Sequence, residues 1–150
     1  EVTHVAAREA LGLAVLDDLT AAHVQEARGS ADPQRPVAVA EHRGDGYSMA
    51  QHARSARLMG IGLDEISLAR GFASNDPKEA ALLAFVKGTM DSEGHPPHHL
   101  LEEAREADWS DTELLEALGE VALNEFQSYV ANAAGLPLDQ IDASALPAAA

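Results

Sequence analysis

Apolar residues that recur three or four positions apart, in segments separated by Gly and Pro, restrict the fold of this chain more than any other feature. This spacing places apolar side chains on one face of an α-helix. No segment alternates apolar and polar residues over the length of a strand, and only 4% of the residues are aromatic, so Ala, Leu and Val must supply most of the packing. The sequence therefore predicts an all-α fold of close-packed helices, in one domain spanning 150 residues.

The predicted helix boundaries follow from Gly, Pro and capping residues. Asp45, Asp76 and Ser110 each precede a helical segment as N-cap candidates, and Glu113 completes a capping box with Ser110. The segment 30–36 is predicted to be a loop because of its two prolines, and 140–150 is expected to be a frayed tail. About six helices are expected, at 4–28, 47–59, 63–72, 77–92, 97–108 and 110–134. The short segment at 37–43 is ambiguous, and a helix is the favoured prediction there.

Charge restricts the partners of the chain. Asp and Glu number 25 against 10 Lys and Arg, which gives a formal net charge of -15. Such a charge repels phosphate backbones and anionic lipid, so nucleic acid is not expected as a partner. No apolar run approaches the ~20 residues needed to span a bilayer, and the N-terminal residues lack the pattern of a signal peptide. A cytoplasmic protein that does not bind membranes is therefore predicted.

The chain contains no cysteine. This excludes disulfides, thiolate metal ligands and every reaction that begins with attack by a thiolate of this chain.

Several short motifs, in a consistent order, resemble the alkylhydroperoxidase D (AhpD)-like and carboxymuconolactone decarboxylase family over about 37–139. The family motif reads Cys-x-Tyr-Cys-x-x-x-His, followed by a small-residue helix that ends in Gly and by a Leu-Ser/Thr-Asp-Glu-Glu-Ile type of turn. The motifs that carry the resemblance are YSMAQH at 47–52, ARLMG at 56–60, LDEI at 63–66, DPK at 76–78, AALLAF at 80–85, WSD at 109–111, LLE at 114–116, VALNEF at 121–126 and AGLPL at 134–138.

The resemblance implies an AhpD-like helical domain that forms homo-oligomers, as dimers, trimers or hexamers. In the family, a cysteine pair reduces peroxide while a histidine and an upstream glutamate move protons. The histidine corresponds to His52 and the tyrosine to Tyr47, but the two cysteine positions hold Asp45 and Ser48. Counted back from the motif without a gap, the glutamate position falls near Pro33, unless a shift of the loop brings in Asp32 or Glu41. Thiol peroxidase activity is therefore predicted to be absent.

Asp45, Ser48 and His52 are the candidate catalytic residues, because their spacing places them on one helical face. In one interpretation His52 is a general base for Ser48, a substrate or water, with Asp45 orienting it. In the other, Asp45 caps the helix and Ser48 fills the space of a cysteine. Tyr47 and Met49 are candidate binding residues for a small organic ligand, or else core residues.

Histidines offer the remaining candidate ligands. His95, His98 and His99 crowd a Pro-Pro turn, and His42 is a further candidate ligand because it lies near Asp45 and His52 in the sequence. The turn matches no established zinc motif, so the sequence predicts no metal and no cofactor.

Three functions remain open from the sequence. The first is a degenerate family member that serves as a scaffold or small-molecule binder. The second is a non-redox acid–base enzyme of the carboxymuconolactone decarboxylase type that uses His52. The third is a thiol-free peroxidase that uses a metal at the histidine-rich turn.

Overall fold

The structure is a computed structural model that describes residues 33–136, and within that range it contains helices and no strand. This confirms the all-α prediction for the described part of the chain. The predicted helix at 4–28 and the tail at 140–150 lie outside it. The helices are α1 (Gln34–His42), α2 (Gly46–Leu58), α3 (Leu63–Arg70), α4 (Pro77–Asp91), α5 (His98–Glu106) and α6 (Asp111–Ala134).

Helix α1 begins earlier than the sequence predicts. The loop prediction is wrong from Gln34 onward, because Pro33 is the N-cap and Pro36 lies in the first turn. The N–H groups of a first turn have no acceptor within the helix, so a proline there costs no hydrogen bond. The helical prediction for 37–43 is confirmed as far as His42.

The predicted caps hold the helix starts. Asp45 and Asp76 each accept a backbone N–H from the first turn of the following helix, at 3.0 Å in both cases. Ser110 and Glu113 form the predicted capping box. Gly135, with φ +67°, takes the left-handed conformation that ends α6. Local side-chain chemistry therefore determines where these helices begin and end.

Helix α1 lies between two apolar clusters. On one side Ala38 and Val39 pack with residues of α4, α5 and α6, including Leu83 and Leu114. On the other side Val37 and Ala40 pack with residues of α2 and α3. These residues are Met49, Ala53, Ala56, Ile66 and Ala69. Small side chains on α2 allow the helices to approach closely, as the low aromatic content requires.

Among the helices at 33–136, none combines the length and apolar character needed to cross a lipid bilayer.

Candidate functional site

The start of α2 brings the five candidate residues together on two helical turns. Asp45 is the N-cap, and Tyr47, Ser48 and Met49 lie in the first turn. His52 follows in the second turn and is half-buried. The predicted spacing is realised, because Ser48 and His52 are one turn apart on a continuous helix.

Asp45 is held from both its backbone and its side chain. Its N–H donates to the carbonyl of Ala40 at 2.9 Å, which ties the end of α1 to the start of α2. Its Oδ1 accepts the backbone N–H of Ser48 at 3.0 Å. The Oδ2 atom is also buried and receives no hydrogen bond within the described range. The side chain therefore acts as a helix cap, where the positive end of the helix dipole favours its negative charge.

Ser48 is a packed residue of the first turn, since only 4% of it is exposed. A nucleophile must come within about 3–3.5 Å of the atom it attacks, which requires a path for the substrate. Burial of Ser48 leaves no such path in this conformation. The arrangement matches a serine that fills core space beside the cap.

Tyr47 and Met49 enter two different apolar clusters. Tyr47 packs with Ala50 and Ala131, between α2 and α6. Met49 packs in the cluster that joins α1, α2 and α3. Each is 9% exposed, so both contribute to the core around the site. Tyr47 also accepts a long hydrogen bond from Gln51, whose Nε2 lies 3.4 Å from the phenolic oxygen.

Two of the histidines outside α2, His42 and His98, each lie near a carboxylate. His42 lies 3.7 Å from a carboxylate oxygen of Asp91, and its ring meets the edge of Phe72. The structure therefore gives His42 a contact with the C-terminal end of α4. His98 is exposed and lies 3.8 Å from Glu102 on its own helix. Nowhere between 33 and 136 do three His, Asp or Glu side chains form a group that could hold a metal ion.

A buried charge cluster that the sequence analysis missed joins α1 to α4 and α6. The guanidinium of Arg35, in a residue only 7% exposed, donates to Glu120 at 2.9 Å. Its Nε lies 3.5 Å from Glu79, which is itself buried. The same guanidinium lies 5.9 Å from the centre of the Trp109 ring. One positive charge thus serves two carboxylates, and the cluster supplies a strong contact between helices distant in sequence.

No signal in the sequence identified this cluster. Arg35 falls in the segment assigned to a loop, and its partners lie far along the chain on other helices. The pairing depends on the crossing of three helices, which helical periodicity does not specify.

Comparison with known proteins does not assign the chain to a family. No family model matches the sequence, and no curated protein matches it. The resemblance to the AhpD-like family therefore stays a prediction based on the motifs.

Proposed function

We propose that this chain is a degenerate AhpD-like protein without thiol peroxidase activity, which serves as a homo-oligomeric scaffold or small-molecule binder. The proposal rests on the residues that occupy positions 45 and 48 and on the roles of their side chains. Where the family motif has its two redox cysteines, this chain has a helix cap and a serine that is 4% exposed. Both side chains have structural roles at the start of α2.

The chemistry supports the same proposal. Thiol peroxidases begin with a thiolate that attacks the O–O bond, and this sequence has no cysteine. Aspartate and serine cannot replace the cysteines as reductants of peroxide, because neither side chain can form a sulfenic acid or a disulfide. A cytoplasmic location and the order of the oligomer stay predictions of the sequence.

Thiol labelling tests the structural role of position 48. Because the chain is free of cysteine, Ser48→Cys introduces a single, nearly isosteric thiol. A buried thiol reacts only when the structure opens locally, so its labelling by a chromogenic aromatic disulfide should be at least about 100-fold slower than after unfolding in urea. Leu58→Cys is the matched control on the same helix, since Leu58 is 81% exposed and should label freely.

Equal labelling rates for the two variants would contradict the structural role of Ser48. Position 48 would then be open to small molecules, and an enzyme would become the better hypothesis.

A second candidate function is acid–base catalysis by His52. The position of His52 on α2 is the observation that supports it. His52 is half-buried on the same side of α2 as Ser48, so an imidazole could meet both solvent and a bound molecule. Decarboxylation of carboxymuconolactone by the wild-type chain is the direct assay. If this function is correct, His52→Ala abolishes turnover while His42→Ala, which removes a histidine packed against α4, retains it.

A further inference from the structure

Helix α6 has an apolar outer stripe opposite the face that it buries. The buried face carries Leu114, Ala117, Val121, Asn124, Gln127, Ser128 and Ala131. The outer stripe is exposed along its whole length and consists of Leu115, Gly119, Ala122, Phe126, Tyr129 and Ala133. Its largest side chains remain open to solvent, with Leu115 at 71%, Phe126 at 51% and Tyr129 at 59% exposed.

The spacing of the outer stripe is that of a coiled-coil seam. Its members are separated alternately by four and three positions, the repeat that keeps a seam in contact with a second helix. No member of the stripe is charged. A helix in contact with its own core on one side needs no such second apolar face, so the stripe indicates a partner helix.

We propose that the outer stripe of α6 binds the outer stripe of a second copy of this chain, with the two helices antiparallel about a twofold axis level with Asn124. In this register the stripe residues face each other in pairs that lie at equal distances from position 124. Phe126 meets Ala122 of the partner subunit, and Tyr129 meets Gly119 of the partner subunit. Leu115 meets Ala133 of the partner subunit.

Every large side chain of the stripe thus faces a small one. Complementary sizes let the layers fill without voids or overlap, as close packing requires. In a parallel pair each residue would meet its own copy, so Phe126 would crowd Phe126 of the partner subunit while Gly119 would leave a gap. A shift of the antiparallel register by one layer would set Phe126 against Phe126 of the partner subunit in one direction, and Leu115 against Tyr129 of the partner subunit in the other.

Gly119 provides a second, independent observation. A glycine inside a helix costs roughly 1 kcal/mol relative to alanine. A Cβ at Gly119 would meet no atom within 4 Å, so the packing within one copy does not require glycine there. In the proposed pair, the missing side chain accommodates the ring of Tyr129 of the partner subunit.

The charges beside the stripe allow two acidic copies to meet. Glu125 flanks the stripe near the twofold axis, and it forms an ion pair with Arg43. The hydrogen bond from Arg43 to Glu125 raises the pKa of Arg43, because the neighbouring carboxylate stabilises its charge. Arg43 also lies over the ring of Tyr129, 5.7 Å from its centre. The carboxylate nearest the axis is therefore neutralised within its own subunit.

The exposed area is sufficient for a reversible dimer. An aromatic side chain buries roughly 150–250 Å² when it is fully covered, and about half of that area is still available on Phe126 and Tyr129. With Leu115 and the flanking Leu118, Leu123 and Val130, the pair would bury on the order of 1,000 Å² in total, which lies at the lower end of specific interfaces.

Sedimentation equilibrium of the full chain over a wide concentration range tests the interface. The wild type should show a monomer–dimer equilibrium, and Phe126→Lys should raise the dissociation constant at least about 30-fold, because a charge then enters the central layer. Leu58→Lys is the matched control, since Leu58 is also a large apolar residue open to solvent, at 81% against 51% for Phe126, but lies on α2. It should leave the dimer intact. Far-UV circular dichroism confirms that each variant is folded.

A charge swap tests the antiparallel register. Gly119→Lys and Tyr129→Glu should each weaken the dimer alone, whereas the double variant should restore it, because opposite charges then face each other between subunits. The two positions are too far apart to pair within one helix. A parallel dimer would instead be weakened further by facing like charges.

A wild type that stays monomeric at every concentration would overturn the proposal, as would an oligomer that Phe126→Lys leaves unchanged. Failure of the double variant to recover would overturn the antiparallel register. A monomeric wild type would also contradict the homo-oligomer of the proposed function, on which this inference rests, whereas the other outcomes would overturn only the interface or its register. The absence of peroxidase activity is tested separately, because sedimentation measures association alone.

Discussion

Asp45 shows how one side chain can link the sequence motif to the structure. It occupies a position where the resembling family has a cysteine, and it holds the first turn of α2 through Ser48. Its backbone N–H also donates to the carbonyl of Ala40, so this residue contributes to both the helix start and the junction with α1. A residue with this structural role needs no catalytic explanation.

The cap can be tested by substitution. Asp45→Ala removes the acceptor for the Ser48 N–H and should lower the free energy of unfolding by about 0.5–2 kcal/mol. Asp45→Asn retains an acceptor oxygen, so its loss should be smaller. Urea unfolding followed by circular dichroism measures both. Equal losses for the two variants would show that charge, and not capping, determines the role of Asp45.

Glu65 holds the connection between α3 and α4. It accepts hydrogen bonds from Ser74 and from the backbone and side chain of Asn75. The hydrogen bond from Ser74 is the main cause that lowers the pKa of Glu65 below its ordinary value of 4.5. A lowered pKa in the folded state means that the stabilisation is complete above the pKa of the unfolded chain and is lost as the pH falls through the folded-state pKa.

The unfolding free energy of the wild type should therefore exceed that of Glu65→Gln at neutral pH, and the difference should shrink as the solution is acidified below about pH 4.5. Parallel urea titrations from neutral to acidic pH measure this difference. A difference that grows on acidification would have the wrong sign for this account.

At the scale of helices, local chemistry was predictable from the sequence and distant pairing was not. Asp76 and the Ser110 box identified two helix starts correctly, because capping depends on residues within one turn. The start of α1 was missed because two prolines usually mark a loop. Arg35 was missed because its carboxylate partners are brought to it only by the crossing of helices.

The same limit applies to α6 and to the candidate site. Periodicity shows that α6 has apolar residues on more than one side, but only the structure distinguishes the buried face from the outer stripe. The composition of the site was predicted as a cap, a serine and a histidine. The sequence does not decide between a buried Ser48 and one that is open to a substrate, since this depends on how the neighbouring helices pack against α2.

The charge cluster around Arg35 is expected to stabilise the packing of α1 against α4 and α6. Arg35→Met leaves Glu79 and Glu120 without their common cation, which should destabilise the fold by about 3–5 kcal/mol. Arg70→Met is the control, because the Arg70–Glu41 pair is about one third exposed and should contribute about 1 kcal/mol or less. Chemical unfolding compares the two. Similar losses would mean that the Arg35 cluster behaves as a surface pair.

At the scale of the whole molecule, acidity opposes association. Each copy carries a formal charge of -15, so two copies repel each other at long range while an uncharged stripe attracts at contact. Salt screens the repulsion between exposed charges and affects apolar contact much less. The balance between these terms determines how the proposed dimer responds to ionic strength.

Raising NaCl from about 20 mM to about 500 mM should therefore lower the dissociation constant of the dimer. Sedimentation of the wild type at both salt concentrations measures the change. Weaker association at high salt would indicate an interface held by ion pairs instead of the outer stripe of α6.

A helix cap and a buried serine occupy the two positions where the AhpD-like motif has its redox cysteines. We therefore expect no consumption of tert-butyl hydroperoxide above buffer when the purified protein is supplied with a dithiol reductant. An AhpD-like protein that retains its cysteines, assayed beside it, should show clear turnover. Turnover by this chain that survives treatment with a metal chelator would show that the protein reduces peroxide without thiols and would contradict the proposed function.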